Sequence, residues 1–379
     1  MRLLRTSALG AAALTGVLVL SACGSDNNST NQPGSGSTGN AGGSGSTGNA
    51  GGSAAGSCPS GTLKAEGSSA QKNAIEAAIK SFQSKCADAT VNYNASGSGA
   101  GIKQFLAGQV DFAGSDSALK ADEAKTAEQV CGSPAWNVPM VTGPLGVAYN
   151  LPGLDKLVLN GEVAAKIFTG AIKKWNDPAI AALNSGAKLP DKDITVFFRS
   201  DESGTTENFT KYLKAASNGA WNVEAVKKWN GPVGEGKPQN AGVASATKSQ
   251  EGSISYLEWS YITQNKLGMA AIDTGSGPVE LTPETVGKSV STAKQVGTGN
   301  DLSLKLDYAT KEKGAYPIIL VTYEIVCSKY KDATKASSVK AFLTHFASSD
   351  VQKAIQQVGY APLPSDIAGK VSTAISAIG

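Results

Sequence analysis

The chain has 379 residues, 41% hydrophobic and 17% charged, enough for a sizeable core arranged as two domains or one large one. Its formal charge of +3 includes Arg2 and Arg5, which lie in a segment expected to be removed; without them 34 − 2 = 32 basic residues face 31 acidic ones, leaving +1. A nearly neutral chain with no dense Lys/Arg cluster is not built for nucleic acid, so any anion it recognises is small and met locally.

The first element, "MRLLRTSALGAAALTGVLVLSAC", has a basic start, an apolar run from Ala8 to Leu20, and then "LSAC". That order reads as a secretory signal peptide over 1–22, the run being too short for a transmembrane helix. Leu20-Ser21-Ala22-Cys23 also resembles the bacterial lipobox, in which cleavage precedes the cysteine and its thiol receives a lipid. The expectation is an exported protein anchored to the membrane through Cys23; a plain secreted protein with a free Cys23 is the alternative. Residues 23–57 form the lipid anchor and a Gly/Ser-rich linker, with "GSGSTGNAGGS" at 34–44 and again at 43–53. Such a tether behaves as a coil with a reach of roughly 30 Å.

Removing Cys23 leaves Cys58, Cys86, Cys131 and Cys327, an even number in an oxidising compartment. Four cysteines allow three pairings, and the sequence does not choose among them. The favoured set is Cys58–Cys86, tying the start of the folded part to the end of its first helix, with Cys131–Cys327. No metal site is expected: there is no C-x-x-C, and the one histidine, His345, sits at helical spacing from Phe342 and Phe346 and reads as a helix-surface residue.

The globular part repeats one design. "GTLKAEGSSAQKNAIEAAIKSF" is a short strand, a Gly67-Ser68-Ser69 loop, then a helix with Ile75, Ile79 and Phe82 on one face. Ser68 and Gln71 fit a capping box there. In "ATVNYNASGSGAGIKQFLAG", Val91 and Tyr93 alternate, a Ser/Gly loop follows, and Ile102, Phe105 and Leu106 line a helix. "DITVFFRSDESGTTENFTKYL" is the third unit, with Ile194, Val196 and Phe198 on the strand and Phe209 and Leu213 on the helix. A weaker fourth, "VDFAGSDSAL", ends a strand at Ser115-Asp116, where Asp116 could simply cap a helix. This alternation implies an α/β fold with helices packed on sheet faces. Each loop sets free N–H groups and a positive helix end at the C-terminal edge of a sheet. Three such loops and Arg199 point to an oxyanion site.

Nucleotide motifs fail on pattern: no G-x-x-x-x-G-K-[ST] occurs, and "GSGAG" lacks the dinucleotide spacing. "SAQK", Ser69 to Lys72, matches the S-x-x-K of serine acyl-enzymes, but the companion K-T-G and S-D-N are absent. That reading stands as a minor alternative.

Beyond these patterns, "YNASGSGAGIKQFLAGQVDFAGSD", "GPLGVAYNLPGL", "KIFTGAIKKWNDPAI", "RSDESGTT", "YPIILVTYEIV" and "GYAPLP" follow one another in an order and spacing similar to a known family. From about Gly61 to Pro364 the chain resembles the phosphate-binding proteins of Pst-type high-affinity phosphate ABC transporters, the PstS family. The resemblance implies a periplasmic-binding-protein-like fold of two α/β domains, joined by a two-crossover hinge near 142–148 and 316–322 with the ligand cleft between them. Domain I would be 58–142 plus 318–379, and domain II 143–317.

It implies ligand contacts from Ser69 and the Ala70 amide, from Ser98 and Asp116, and from Arg199, Ser203, Gly204 and Thr205, with Asp201 orienting Arg199. Ala70 stands where better-known members carry a bulky aromatic, and Ser255 where the family often has glycine. The implied protein is no enzyme, uses no cofactor, acts as a monomer, and hands inorganic phosphate to membrane permease subunits. The chemistry is coherent, because phosphate at neutral pH retains a proton and Asp116, an acceptor only, can take that proton but repels a fully ionised sulfate. Another tetrahedral oxyanion remains the alternative ligand.

Overall fold

The computed structural model describes residues 58–379; the expected signal peptide, Cys23 and the linker lie outside them. Three strand–loop–helix units form where the Ser/Gly loops break the hydrophobic periodicity. They are β1 (Gly61–Gly67) with α1 (Lys72–Lys85), β2 (Ala89–Asn94) with α2 (Ser98–Leu106), and, later, β6 (Thr195–Arg199) with α6 (Gly204–Ala216). Between them lie β3 (Phe112–Ser115), α3 (Ala121–Cys131), β4 (Ala135–Asn150), β5 (Val158–Asn160), α4 (Gly161–Phe168) and α5 (Pro178–Leu183). After α6 come β7 (Glu235–Lys237), α7 (Gln239–Ser249), β8 (Ser253–Glu258), α8 (Trp259–Asn265), β9 (Gly268–Met269), β10 (Ala271–Asp273), β11 (Pro278–Val279) and α9 (Pro283–Ser291). The chain finishes with β12 (Lys294–Gln295), β13 (Leu304–Lys305), β14 (Ile319–Cys327), α10 (Ala333–Phe346), α11 (Ser349–Gln356) and α12 (Ser365–Ser376).

One mixed sheet runs in the order β2-β1-β3-β14-β4-β8-β6-β7, and β4 ties it together. Its 16 residues span roughly 50 Å. Residues Ala135–Pro144 pair with β14, and from Leu145 to Asn150 the strand pairs with β8 instead. The change of partner coincides with a change of core. One cluster gathers Leu63 to Val141 with Val326 to Ile378; the other gathers Leu145 to Leu320, joined by Ala70 and Ala361. The chain returns beside this point, where Leu145 N–H donates to Ile318 O at 2.9 Å and Tyr316 Oη donates to Leu145 O at 2.9 Å. Each cluster is the core of one of two α/β domains. One segment joins the first core from the loop between β12 and β13: Leu302 is buried in the first cluster, its N–H donating to Asn137 O at 3.0 Å.

The disulfides are Cys58–Cys86 and Cys131–Cys327, with Cα atoms 5.3 and 5.5 Å apart. Of the three possible pairings, this is the favoured one. The first closes a separation of 28 residues, worth roughly 3–4 kcal/mol in the chain-entropy account. Among the described residues, no helix is long and apolar enough to cross a membrane, and no group of three His, Cys, Asp or Glu side chains is placed to hold a metal.

Three local expectations fail. The Ser68/Gln71 capping box does not form, because Ser68 Oγ accepts from Ala70 N at 3.0 Å and the Gln71 amide reaches Tyr93 Oη at 3.0 Å. The fourth unit has its strand but no helix at Asp116; α3 begins only at Ala121, so Asp116 caps nothing. His345 is not a plain surface residue: it is half-buried between α10 and α1, with Nε2 2.6 Å from Ser81 Oγ, and burial lowers its pKa.

Candidate functional site

Two helices begin at the same point from opposite sides of the cleft. α2 starts at Ser98 and α6 at Gly204, and the opening N–H groups of a helix have no acceptor within it. Around Gly204 the approach is tight. A Cβ there would lie 2.5 Å from Asp116 Cβ and 2.6 Å from both Asp116 Oδ2 and Ser98 Oγ. Ser203, at the N-cap, accepts from Thr206 N at its Oγ at 3.2 Å, which leaves the Gly204 and Thr205 amides for another partner.

Arg199 ends β6 and is 1% exposed, an unusual setting for a guanidinium. Asp201 holds it through both carboxylate oxygens, one bond being Arg199 Nε to Oδ1 at 2.8 Å. Burial works to raise the Asp201 carboxyl, but Arg199 and the Gln239 amide hold it below the ordinary carboxylate range. Arg199 Nη1 donates to Thr205 Oγ1 at 3.2 Å, and the Arg199 N–H donates to Tyr256 Oη at 3.1 Å. One positive charge is thereby fixed beside the start of α6.

Across the cleft, Asp116 is 3% exposed. Its Oδ1 accepts from Thr322 Oγ1 at 2.8 Å and its Oδ2 from Ser98 Oγ at 3.2 Å. Burial pushes the carboxyl up, and hydrogen bonds from Ser68, Thr322 and Ser98, with the Arg199 charge, pull against it. With about four lone-pair sites, an ionised carboxylate so bonded still has room for a ligand's O–H.

The first loop is backed rather than left open. Tyr261 Oη donates to Ser69 O at 2.9 Å and Tyr360 Oη to Ala70 O at 2.6 Å. The Ala70 N–H, expected to face a ligand, donates to Ser68 Oγ. The S-x-x-K reading finds no support in this arrangement: Ser69 is 1% exposed and meets Asn240, while Lys72 sits on the outside, 3.7 Å from Glu76.

Asn240, fully buried in the first turn of α7, is the residue sequence reasoning missed. Its Nδ2 donates to Ser69 Oγ at 3.2 Å and to Thr205 Oγ1 at 3.3 Å, its N–H donates to Ser69 Oγ at 3.3 Å, and its Oδ1 accepts from Glu258 N at 3.2 Å. Both hydroxyl oxygens therefore act as acceptors toward Asn240, which leaves their protons to donate elsewhere. Ser255, the other departure, is buried and accepts from Thr247 Oγ1 at 2.9 Å, so its hydroxyl is absorbed structurally.

The cleft is closed. Gly99 N donates to Glu202 O at 2.9 Å, Asn208 Nδ2 to Asp116 O at 2.8 Å, and Ser117 Oγ to Glu207 Oε2 at 2.7 Å. Lys103 pairs with Glu202 at 2.7 Å. Burial works upward on Glu207, but Lys211 and Lys227 hold it down at about 2, so this latch stays ionised. All eight residues expected to touch a ligand thus flank one buried interface, four from each side. The chemistry they offer is one cation, neutral donors and one acceptor-only carboxylate, suited to a small oxyanion that carries a proton.

Comparison with known proteins agrees. The profile of the PBP superfamily domain matches residues 52–350. The chain is 48% identical to the phosphate-binding protein PstS 3 of Mycobacterium tuberculosis over all of both chains, and 44% identical to PstS 2 of the same organism, again over all of both. It is 36% identical to PstS of Pasteurella multocida, covering 74% of this chain and 80% of that one. Among solved structures, a high-affinity periplasmic phosphate-binding protein (PfluDING) with bound phosphate superposes with a TM-score of 0.68 at 22% identity, covering 82% of this chain and 93% of that one. A putative phosphate ABC transporter substrate-binding protein from Clostridium perfringens gives 0.59 at 19%, covering 80% and 100%. At such identities the structures speak to the fold alone.

Proposed function

The chain belongs to the PstS family of phosphate-binding proteins, and from that premise we propose that it captures inorganic phosphate outside the cytoplasm and delivers it to the permease subunits of an ABC importer. Its role is binding rather than catalysis. The observation that carries this reading is the meeting of Asp116 with Arg199 and two helix starts across a closed cleft. Ser69, Ser203 and Thr205 with the Ala70, Gly204 and Thr205 amides would donate to the phosphate oxygens, as would Ser98 once its hydroxyl turned from Asp116; Arg199 would supply the charge-assisted contact, and Asp116 would accept the phosphate O–H. Sulfate offers no such proton and meets only repulsion at Asp116. The Ala70 amide would exchange Ser68 Oγ for a ligand oxygen.

Closure follows because only the closed cleft satisfies the anion from both sides. The division into domain I (58–142 plus 318–379) and domain II (143–317) is supported by the two cores and by the change of partner along β4. Attachment through a lipid on Cys23, and action as a monomer, belong to the same proposal. Calorimetry with phosphate, arsenate, sulfate and molybdate tests the ligand: saturable phosphate binding without sulfate binding is expected. A preference for sulfate or molybdate over phosphate would overturn it.

A further inference from the structure

Behind the first loop lies a buried acid that the site described above does not use. Glu324, in the middle of β14, is 0% exposed, and neither carboxylate oxygen has a hydrogen-bond partner among the described residues. Gln71 is likewise 0% exposed, and its Oε1 also lacks a partner. The sheet brings these atoms together. Glu324 stands directly opposite Gly114 in the antiparallel β3–β14 pair, and directly opposed residues project to the same face. Gly114 has no side chain to fill that face, and a Cβ there would lie 2.2 Å from Gln71 Nε2 and 2.5 Å from Tyr93 Oη. The Gln71 amide therefore occupies the space over Gly114, beside Glu324.

From Gln71 a relay runs to the anion loop. Gln71 Nε2 donates to Tyr93 Oη at 3.0 Å, and Tyr93 Oη donates to Ser68 O at 2.8 Å. Turning the amide over would set Oε1 against a tyrosine oxygen whose proton is already given to Ser68. With the amide held that way round, Gln71 Oε1 has no donor, and an ionised Glu324, an acceptor only, has none to offer it. One proton on Glu324 satisfies both sides.

We propose that Glu324 is a positioning residue for the phosphate site: as the neutral acid it donates to Gln71 Oε1 and fixes the Gln71–Tyr93–Ser68 relay that sets the loop carrying Ser69 and Ala70. The inference rests on the phosphate-binding reading. Burial supports it by pushing the Glu324 carboxyl up to about 8, with the nearby Gln71 amide pulling the other way and the Asp116 charge adding to the rise. The titratable groups facing Glu324 are Tyr93 from β2 and Asp116 after β3; β4 presents Val138 and the first loop Gln71. Losing the proton removes the donor and adds a negative charge behind Asp116, so phosphate affinity falls as pH rises through about 8.

The test uses the full chain in detergent, titrated with inorganic phosphate below and above about pH 8. Glu324→Met, apolar and of similar length, should fold with undiminished thermal stability yet bind phosphate about tenfold more weakly, because Gln71 loses its donor. Glu324→Gln, whose amide can donate to Gln71 Oε1, should stay within about threefold of the wild type at neutral pH. Phosphate changes its own protonation over this range, so the decisive quantity is the wild type's alkaline loss in excess of that of Glu324→Gln. Infrared difference spectra should show a protonated-carboxyl carbonyl band in the wild type at neutral pH that is absent from Glu324→Gln. Wild-type affinity in Glu324→Met, or no such band, overturns the inference. A wild type that binds no phosphate refutes the phosphate reading instead, and the infrared band then still decides whether Glu324 holds its proton.

Discussion

Gly204→Ala separates closure from folding. Gly204 is the first residue of α6 and does not adopt a left-handed backbone conformation, so an alanine strains nothing locally. With the cleft open, the new methyl group faces space, and the change improves helix propensity by up to about 1 kcal/mol. With the cleft closed, the methyl carbon would sit 2.5–2.6 Å from Asp116 and Ser98. Carbon contacts relax near 3.5–4.0 Å, so the halves must part by roughly 1 Å. Separation on that scale carries the 2.7–2.9 Å bonds Ser117–Glu207, Asn208–Asp116 and Gly99–Glu202 beyond hydrogen-bonding range. It also withdraws Ser98 and Asp116 from the anion. One neutral and one charge-assisted contact are together worth about 3–4 kcal/mol, or two to three decades of affinity. Calorimetry with phosphate, paired with thermal unfolding, reads both quantities. A Gly204→Ala protein that binds phosphate as tightly as the wild type would refute the closed-cleft geometry.

Asp116→Asn should admit sulfate while changing phosphate affinity little, because the amide no longer repels a dianion; Arg199→Ala should weaken all oxyanions together, by about 2–3 kcal/mol. Paired phosphate and sulfate titrations check both, and an Asp116→Asn protein that still ignores sulfate would contradict the proton-reading role. Asn240→Ala should cost phosphate affinity by about 1–2 kcal/mol without touching the ligand, since Ser69 and Thr205 then lose the donor that orients them; an unchanged dissociation constant counts against that role. Cys23→Ser should release the protein from membranes, and fractionation showing it still retained there would remove the lipid anchor.

The strand–loop–helix units were legible because Ser and Gly interrupt clear hydrophobic periodicity, and Arg199 stood out as a cation at the end of an apolar strand. The capping box at Ser68 and Gln71 misled because each side chain has another partner: Ser68 accepts from Ala70, two residues on in a tight local turn, and Gln71 bonds Tyr93, 22 residues away. Asn240 gave no local signal at all. Its role exists only through Ser69 and Thr205, 171 and 35 positions distant, which no spacing rule joins. Glu324 did leave a trace, a lone acid inside "IILVTYEIVC", whose mixture of charge and apolar neighbours marks a buried polar group needing a partner.

The position of β14 bears on how the chain is made. It lies between β3 and β4 in the sheet, yet it follows β4 by some 170 residues. While the first half of the chain emerges from the ribosome, β3 and β4 each present an edge whose neighbour does not yet exist. The first core also waits for Val339, Phe342 and the apolar residues of α12. Folding of that half is therefore postponed until synthesis is nearly complete, which would suit the export proposed above. The same delay leaves unpaired strand edges open to other chains, so variants that slow the arrival or pairing of β14 should lose yield to aggregation before they lose equilibrium stability.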